Sequence, residues 1–418
     1  MIHHSEAFTI DYSNFSLNTA LYPRLVAAVA SIVPKILESI EDGTPAYKIF
    51  SIEHARQQAE SCAHYAETIK ANFSDLIVIG MGGAVLNPRT AISLTEFVPS
   101  SVKIHFLDNT DPFFLQKLLA QIDLKNCAVL AISNSGQTLE TLALTGVMIN
   151  KFEQAGVRLS DRFFFITNKQ SGRLRDVANK IDATIIEHTS NISGRYSTLT
   201  NVTSLIAQIA GVNMKEYLAG AEMVMKDFFD KKENTPAALS VSIMLNEPKS
   251  TLVNIGYLQQ FDVFLEWYSQ IIAESLGKEG KGVTPIRGLG PNDQHSMLQL
   301  YLDGWKDKIY SLFYVENWKN VQTHKACDLA ALGGIAGREL QEINTANFSA
   351  TRAALLTRKL PVRTITLKDL SARSIGALVT HSMLEIVIWS RVMHINPFNQ
   401  PGIELIKTES TKIIDSKK

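Results

Sequence analysis

A glutamate near the end of a predicted helix is the first residue whose position suggests chemistry. Apolar residues recur at helical spacing from Leu258 to Leu276, and Gly277 marks the end of that helix. Glu274 therefore lies in the last turn, where the negative end of the helix dipole disfavours a carboxylate. A carboxylate whose negative charge is disfavoured binds a proton more readily, which suits a residue that takes up and returns a proton during a reaction. The simpler alternative is a surface ion pair between Glu274 and Lys278, four residues further on.

A run of hydroxyl side chains follows a predicted strand and forms a second candidate site. The strand Ala128 to Ile132 continues into Ser133-Asn134-Ser135-Gly136-Gln137-Thr138-Leu139-Glu140-Thr141. Hydroxyls donate hydrogen bonds to phosphate oxygens, and the unpaired amides at the start of a helix favour an anion. A helix N-cap explains one hydroxyl but not the whole cluster. The run therefore favours a site for the single terminal phosphate of a sugar phosphate.

A glycine loop follows the first predicted strand, Leu76 to Ile79. Its sequence, Gly80-Met81-Gly82-Gly83-Ala84-Val85, nearly matches the dinucleotide-binding fingerprint. Asp108, at the end of the next strand, could serve as the ribose-binding acid of such a site. However, Val85 stands where the fingerprint has its third glycine or alanine. A nucleotide-binding oxidoreductase is therefore one alternative, against which Val85 and the hydroxyl run both argue.

Arg195 follows Gly194 in a polar loop after the fifth predicted strand. A fixed guanidinium in such a loop could stabilise negative charge that develops on a substrate oxygen. The alternative is a surface arginine on a hinge between domains.

Composition excludes several classes of protein and partner. The 418 residues carry 41 basic and 41 acidic side chains, so no overall charge attracts the chain to nucleic acid or to an anionic membrane. No signal peptide or membrane segment is apparent in the sequence. The widely spaced Cys62, Cys127 and Cys327 form no pair typical of a metal site or a disulfide framework. We expect them to be buried in a protein of the reducing cytoplasm.

Short apolar strands alternate with helices along most of the chain, which predicts an α/β fold with doubly wound parallel sheets. The strands are expected at 76–79, 102–107, 128–132, 163–166, 184–186, 251–255, 309–314 and 362–367. The expected domains are an N-terminal helical leader (1–45), a first α/β domain (46–228), a polar surface crossing (229–250), a second α/β domain (251–395) and a C-terminal segment (396–418).

Six stretches of the chain together resemble the glucose-6-phosphate isomerase family, in the family's order. A further stretch, Leu298 to Gly304, is similar to the compact bacterial form of that family. The six stretches are Gly80 to Gly83, Ser133 to Thr141, Ser193 to Ser197, Gln270 to Lys278, Gly290 to Ser296 and Gln400 to Lys407.

The resemblance implies a chain of two sugar-isomerase (SIS) α/β domains with a C-terminal helical segment. It also implies that two such chains form a homodimer. It further implies interconversion of glucose 6-phosphate and fructose 6-phosphate through a cis-enediol, with no metal or organic cofactor. Glu274 matches the base, and Arg195 matches the residue that stabilises the enediolate. His295, donated by the partner subunit, and Lys407 match the ring-opening residues. The remaining matches are the phosphate-binding Ser133, Ser135, Thr138 and Thr141, and the sugar-site residues Gly83, Gln270 and Gln400.

For His295 alone the simpler alternative is a loop or core histidine, and for Lys407 it is a solvated lysine at a helix end. Two positions depart from the family pattern, because Ala84 replaces a common serine and Asn134 replaces a common lysine. We expect weaker phosphate binding from these departures, with the chemistry retained. A non-catalytic sugar-phosphate-binding protein with the same domains is the second alternative, which has no need of a helix-end carboxylate such as Glu274.

Overall fold

A computed structural model gives the fold. It describes residues 1–96, 99–170, 172–318 and 321–416, and of residues 404, 407, 411 and 415 it describes the backbone alone. The chain divides into two compact units. The six-stranded unit comprises Met1–Glu38, Ser93–Glu96 and Ala219–Pro397. The five-stranded unit comprises Ser39–Ile92, Phe97–Leu218 and Phe398–Lys418. The domain boundaries expected from the sequence stay a prediction.

The described part of the chain contains eleven strands and fourteen α-helices. The strands are β1 (Ile2–His4), β2 (Phe8–Ser13), β3 (Asp75–Ile79), β4 (Lys103–Leu107), β5 (Cys127–Ile132), β6 (Phe163–Thr167), β7 (Thr184–Glu187), β8 (Thr251–Gly256), β9 (Thr284–Leu289), β10 (Lys308–Val315) and β11 (Val362–Leu367). The helices are α1 (Tyr22–Glu41), α2 (Ile52–Asn72), α3 (Gly83–Leu94), α4 (Pro112–Leu119), α5 (Leu139–Gln154), α6 (Arg173–Lys180), α7 (Asn201–Ile209), α8 (Met214–Lys231), α9 (Pro236–Asn246), α10 (Phe261–Leu276), α11 (Leu298–Asp303), α12 (Leu340–Thr357), α13 (Ala372–Val392) and α14 (Pro401–Asp415).

The five-stranded sheet is parallel throughout, in the order β4-β3-β5-β6-β7. Its strands are short and apolar because both faces are covered by helices. Residues of α2 and α7 pack on one face, and residues of α4, α5 and α6 pack on the other. The sheet is therefore doubly wound, as the alternation of strands and helices predicts.

The six-stranded sheet has the order β1-β2-β11-β10-β8-β9. The four strands β11, β10, β8 and β9 are parallel, and β2 joins β11 antiparallel. Helix α13 is buried along nearly its whole length, and α9 and α10 pack beside it. Among the described residues, α13 alone is long and apolar enough to cross a membrane, but 89% of its most apolar stretch is buried within the protein. It is a core helix of this unit.

Three local expectations were wrong, and one strand was missed. Residues 2–4 and 8–13 are strands rather than a leader. Phe8–Ser13 alternates buried and partly buried side chains and pairs antiparallel with β11. Strand β9 was missed because its residues are only partly buried. The expected surface crossing contains the buried helix Pro236–Asn246. Cys62 and Cys127 are buried as expected, whereas Cys327 is exposed.

Candidate active site

The order of the five-stranded sheet reverses between β3 and β5. In open α/β sheets the ligand-binding crevice lies outside the carboxyl ends of the two strands at such a point. The glycine loop, residues 80–83, follows β3, and the hydroxyl run, residues 133–141, follows β5. The sheet topology thus brings together two stretches that are separated by about fifty residues in the sequence.

The hydroxyl run forms a tight turn that leads into α5. Gly136 has a left-handed φ of 63°, which favours glycine at this position. The Ser133 hydroxyl accepts a hydrogen bond from the Gly136 amide at 3.2 Å and lies 2.9 Å from the Thr138 hydroxyl. The exposed Ser135 hydroxyl accepts from the Gln137 amide at 3.2 Å. The turn is therefore held by the same hydroxyls that the sequence assigns to the phosphate.

The first turn of α5 is not closed by a side-chain cap. Thr138 is the N-cap residue but makes no side-chain capping hydrogen bond. Thr141 is fully buried, and its Oγ1 has no hydrogen-bond partner in the part of the chain that the structure describes. The equivalent helix of the six-stranded unit, α12, closes its own first turn with a capping box of Glu339 and Glu342. The first turn of α5 therefore lacks the side-chain cap that α12 has, and uncapped amides at a helix start favour an anion.

The glycine loop packs directly against the turn that carries Arg195. A Cβ atom at Gly83 would lie 2.1 Å from the Gly194 carbonyl oxygen and 2.6 Å from the Arg195 nitrogen. No side chain fits that space, so the sequence needs glycine here for close approach of two backbones. Asn134 of the hydroxyl run also contacts this loop, since its amide donates to the Ile192 carbonyl at 2.8 Å.

The guanidinium of Arg195 is held in a fixed place. The residue is 1% exposed, so the alternative of a surface arginine is wrong. Its Nη1 donates to Gln400 Oε1 at 2.8 Å, and its Nη2 donates to the Asn399 carbonyl at 3.0 Å. The adjacent Ser193 hydroxyl donates to the Phe398 carbonyl. Hydrogen bonds thus tie the segment just before α14 to the Arg195 turn. Gln400, the N-cap residue of α14, accepts one of them.

Helix α10 of the six-stranded unit carries the predicted base. Glu274 is half-buried in the last turn, and Gly277 ends the helix, as the sequence predicts. A Cβ at Gly277 would lie 2.6 Å from the Ala273 carbonyl oxygen, which explains the glycine. The Gln270 amide donates to Glu274 Oε1 at 2.9 Å. The Lys278 ammonium donates to the Asn396 carbonyl.

The two predicted ring-opening residues lie in different surroundings. His295 follows a short turn, Asn292–Gln294, in the six-stranded unit, and its side chain is exposed. It is therefore not a core histidine. The backbone of Lys407 is part of α14, whereas its side chain lies outside the described residues.

One residue with a clear part in this architecture was missed from the sequence. Asn87 in α3 is fully buried, and its Nδ2 donates to the Gly83 and Gly194 carbonyls and to the Ser197 hydroxyl. The available signal was an asparagine directly before Pro88 in a predicted helix, where a polar side chain needs local partners.

Asp108 is the acid that a ribose-binding site would use. Its carboxylate accepts a hydrogen bond from Arg89 at 3.2 Å, so an arginine already occupies this acid.

The fold defines the class, an α/β protein with two sheets built mainly of parallel strands. A sequence model of the family described as "Phosphoglucose isomerase" matches residues 49–418. The chain belongs to the phosphoglucose isomerase family.

Individual relatives agree with this assignment. The chain is 31% identical to a glucose-6-phosphate isomerase of Carboxydothermus hydrogenoformans, over 81% of this chain and 78% of the relative. It is 29% identical to that of Rubrobacter xylanophilus, over 91% and 90% of the two chains. The crystal structure of a glucose-6-phosphate isomerase from Chlamydia trachomatis superimposes with a TM-score of 0.85 at 21% identity, covering all of this chain and 90% of the other. The last likeness supports the fold.

Proposed function

We infer that the protein is a glucose-6-phosphate isomerase, an enzyme that interconverts glucose 6-phosphate and fructose 6-phosphate in glycolysis and gluconeogenesis. The observation that carries the inference is the family match over residues 49–418, which includes every predicted site residue. The fixed Arg195 beside an open turn of hydroxyls and amides supports the same function. A non-catalytic binding protein is not favoured by the named relatives, and neither is a nucleotide-binding oxidoreductase.

The proposed chemistry assigns phosphate binding, proton transfer and charge stabilisation to different residues. The hydroxyl run holds the terminal phosphate through Ser133, Ser135, Thr138 and Thr141. Glu274 removes a proton from the carbon next to the carbonyl and returns it to the neighbouring carbon. The oxygen that gains charge in the cis-enediolate is stabilised by the guanidinium of Arg195.

Gln270 has a supporting part in this proposal. Its amide donates to Glu274 Oε1 and orients the carboxylate, and its own Oε1 is buried without a partner among the described residues. Gly83 and Gln400 are the further sugar-site residues, Gly83 because its missing side chain admits a close backbone approach.

We assign ring opening to His295 and Lys407. A closed sugar ring needs a proton donor for the ring oxygen and an acceptor for the hydroxyl proton before the chain can react. We further propose that His295 serves the partner subunit of a homodimer. The exposed side chain of His295 is compatible with that role, since a histidine that acts in another subunit must project from its own.

An exposed segment of the six-stranded unit supports the homodimer. We call residues 321–340 the arm, because most of its side chains are exposed. Val321, Leu329, Ile335 and Leu340 are 48–60% exposed, which is unusual for large apolar side chains on one short segment. Contiguous exposed apolar side chains mark an association surface, and we propose that these four contribute to one. We place the enzyme in the cytoplasm, in agreement with cysteines that form no disulfide framework.

The direct test is the conversion of fructose 6-phosphate to glucose 6-phosphate by purified parent protein and by Glu274→Gln. The amide keeps the shape of the side chain but cannot accept a proton, so we expect a loss of roughly a hundredfold or more in kcat. Glu266→Gln is the matched control, because Glu266 lies on the same helix and pairs with Arg287 at 3.3 Å. That variant should retain the parent rate.

The outcomes separate the alternatives. If the parent binds the sugar phosphate but does not convert it, the protein is a sensor rather than an enzyme. Equal activity in the parent and in Glu274→Gln would show that another residue is the base. Thermal stabilisation by NAD would support the oxidoreductase instead.

A further inference from the structure

The side chain of Asn87 joins two backbone segments that are far apart in sequence. Its Nδ2 donates to the Gly194 carbonyl at 2.8 Å, to the Ser197 hydroxyl at 3.1 Å and to the Gly83 carbonyl. Because a carbonyl oxygen can only accept, these contacts also fix which end of the amide faces the turn. The Ser197 hydroxyl in turn donates to the Gly194 carbonyl at 2.7 Å. Asn87 thus fastens the Gly194–Ser197 turn to the glycine loop.

The contact between the glycine loop and the Gly194–Ser197 turn involves the backbone atoms next to Arg195. The absent side chain of Gly83 lets the Gly194 carbonyl and the Arg195 nitrogen come within 2.6 Å of where a Cβ would stand. Such close packing leaves the turn no space to move toward the glycine loop, and the Asn87 amide opposes movement away from it. The far end of the arginine is held separately by Gln400 and the Asn399 carbonyl.

We propose that Asn87 is a positioning residue for the isomerisation, which sets the place of the Arg195 guanidinium through the Gly194–Ser197 turn. The proposal rests on the proposed isomerase function, in which Arg195 stabilises the enediolate. Asn87 itself is buried and acts through the turn rather than on the sugar. Phosphate binding depends on a different loop, so Asn87 should affect the chemical step more than the binding of phosphate.

The test compares Asn87→Ala with the parent in three measurements. We expect kcat to fall by roughly tenfold or more with KM changed much less, because a small misplacement of a charge-stabilising group costs rate. An aldonate phosphate one carbon shorter than the substrate, whose carboxylate mimics the enediolate, should inhibit with a similarly weakened constant. Inhibition by inorganic phosphate should stay within about twofold, since the hydroxyl run is unchanged.

Asn201→Ala is the matched control for a merely structural effect. Asn201 is also a buried asparagine of the five-stranded unit, and its Nδ2 donates to a backbone carbonyl, that of Glu187, at 2.7 Å. We expect it to lower the melting temperature and leave kcat unchanged. In an Arg195→Lys background, Asn87→Ala should cause little further loss of kcat, because both changes act through the same group.

Several results would overturn the proposal. They are an unchanged kcat in folded Asn87→Ala, an equal weakening of phosphate and aldonate phosphate, or the full effect of Asn87→Ala in the Arg195→Lys background. If Asn87→Ala does not fold, Ser197→Ala removes one partner of the same contact, and unchanged aldonate phosphate affinity in that variant would refute the positioning role. If the parent converts no substrate, the isomerase function fails, while the two inhibitors, measured as ligands, still report on Asn87.

Discussion

The side-chain amide of Gln270 lies 2.9 Å from Oε1 of Glu274, one helical turn further along α10. A neutral donor to a carboxylate fixes its orientation, and a hydrogen bond to a charged group contributes more than one between neutral groups. The relationship explains why a glutamine belongs to the site although it has no proton to exchange in the reaction.

Gln270→Met should lower kcat by about tenfold or more, because it removes a hydrogen bond to a charged group worth about 1.5–3 kcal/mol. Steady-state kinetics with fructose 6-phosphate check the change. Ser269→Ala is the control, since that hydroxyl donates to the Leu265 carbonyl of the same helix. A kcat equal to that of the parent would show that Gln270 does not orient the base.

Mixing two inactive variants tests whether His295 acts in the partner subunit. A mixed dimer of Glu274→Gln and His295→Ala contains one site with both changes and one site with neither. Denaturing and refolding an equal mixture should therefore restore about a quarter of the parent activity, as random assembly of a symmetric dimer requires. Each variant refolded alone is the control. A mixture no more active than its parts would mean that both residues act within one chain.

The buried histidine of α13 predicts a dependence of stability on pH. Burial lowers the pKa of His381 to about 4, with Glu385 raising it and Arg363 lowering it further. The unfolded chain takes up this proton near the ordinary histidine pKa of 6.5, so it binds more protons than the folded chain between those two values. The free energy of unfolding should therefore fall by up to about 3 kcal/mol as the pH drops through that range.

Urea unfolding at several pH values measures the effect, and His381→Phe should flatten the curve. His188, whose pKa is also lowered by burial, adds a slope of the same sign, so the test is the difference between variant and parent. Above about pH 5 the carboxyl groups contribute little to this difference. Identical slopes in the two proteins would mean that the histidine does not remain neutral on folding.

Arg363 and Glu385 form an ion pair inside the six-stranded unit, where they are 0% and 1% exposed. Tyr268 of α10 donates to Glu385 Oε2 at 2.8 Å and joins the helix of the base to this pair. Arg363→Met alone should cost about 3–5 kcal/mol, because it leaves a buried charge without its partner. Arg363→Met combined with Glu385→Leu should cost less than the single change. Additive losses in chemical denaturation would argue against a coupled pair.

Asn134 stands where the family commonly has lysine, and Asn134→Lys should strengthen phosphate binding. A charge-assisted contact worth about 1.5 kcal/mol corresponds to roughly a tenfold lower KM for fructose 6-phosphate. The control is Gln154→Lys, an exposed change at the far end of α5. An unchanged KM in Asn134→Lys would show that the departure does not weaken the phosphate site.

The sequence predicted those parts of the fold in which local pattern and tertiary environment agree. Each strand expected from a continuous apolar run is present, because such runs are stable only in a sheet covered on both faces. Strands β2 and β9 lie near the edges of their sheet and carry a weaker pattern. Helix Pro236–Asn246 was missed because its buried face includes Ser240, Ser242 and Asn246, whose polarity suggested a surface segment.

The sequence predicted those site residues whose type and position along the chain indicate their chemistry. It missed the residues whose role depends on tertiary contacts. Glu274 and the hydroxyl run stand out by type and position along the chain. Asn87 offered only its place directly before Pro88 as a signal, because its role comes from a carbonyl that is 107 residues away in the sequence. The tie between Arg195 and Gln400 spans 205 residues and has no local pattern either.

The most direct test of the central claim is the fate of the transferred hydrogen. The parent enzyme and Glu274→Gln are incubated with fructose 6-phosphate in deuterium oxide, and the glucose 6-phosphate is analysed by proton NMR. Proton transfer by a carboxylate that exchanges with solvent predicts deuterium at C2 in the parent reaction and neither deuterium nor product with the variant. Deuterium at C2 in product formed by Glu274→Gln at the parent rate would contradict the role of Glu274 as the base.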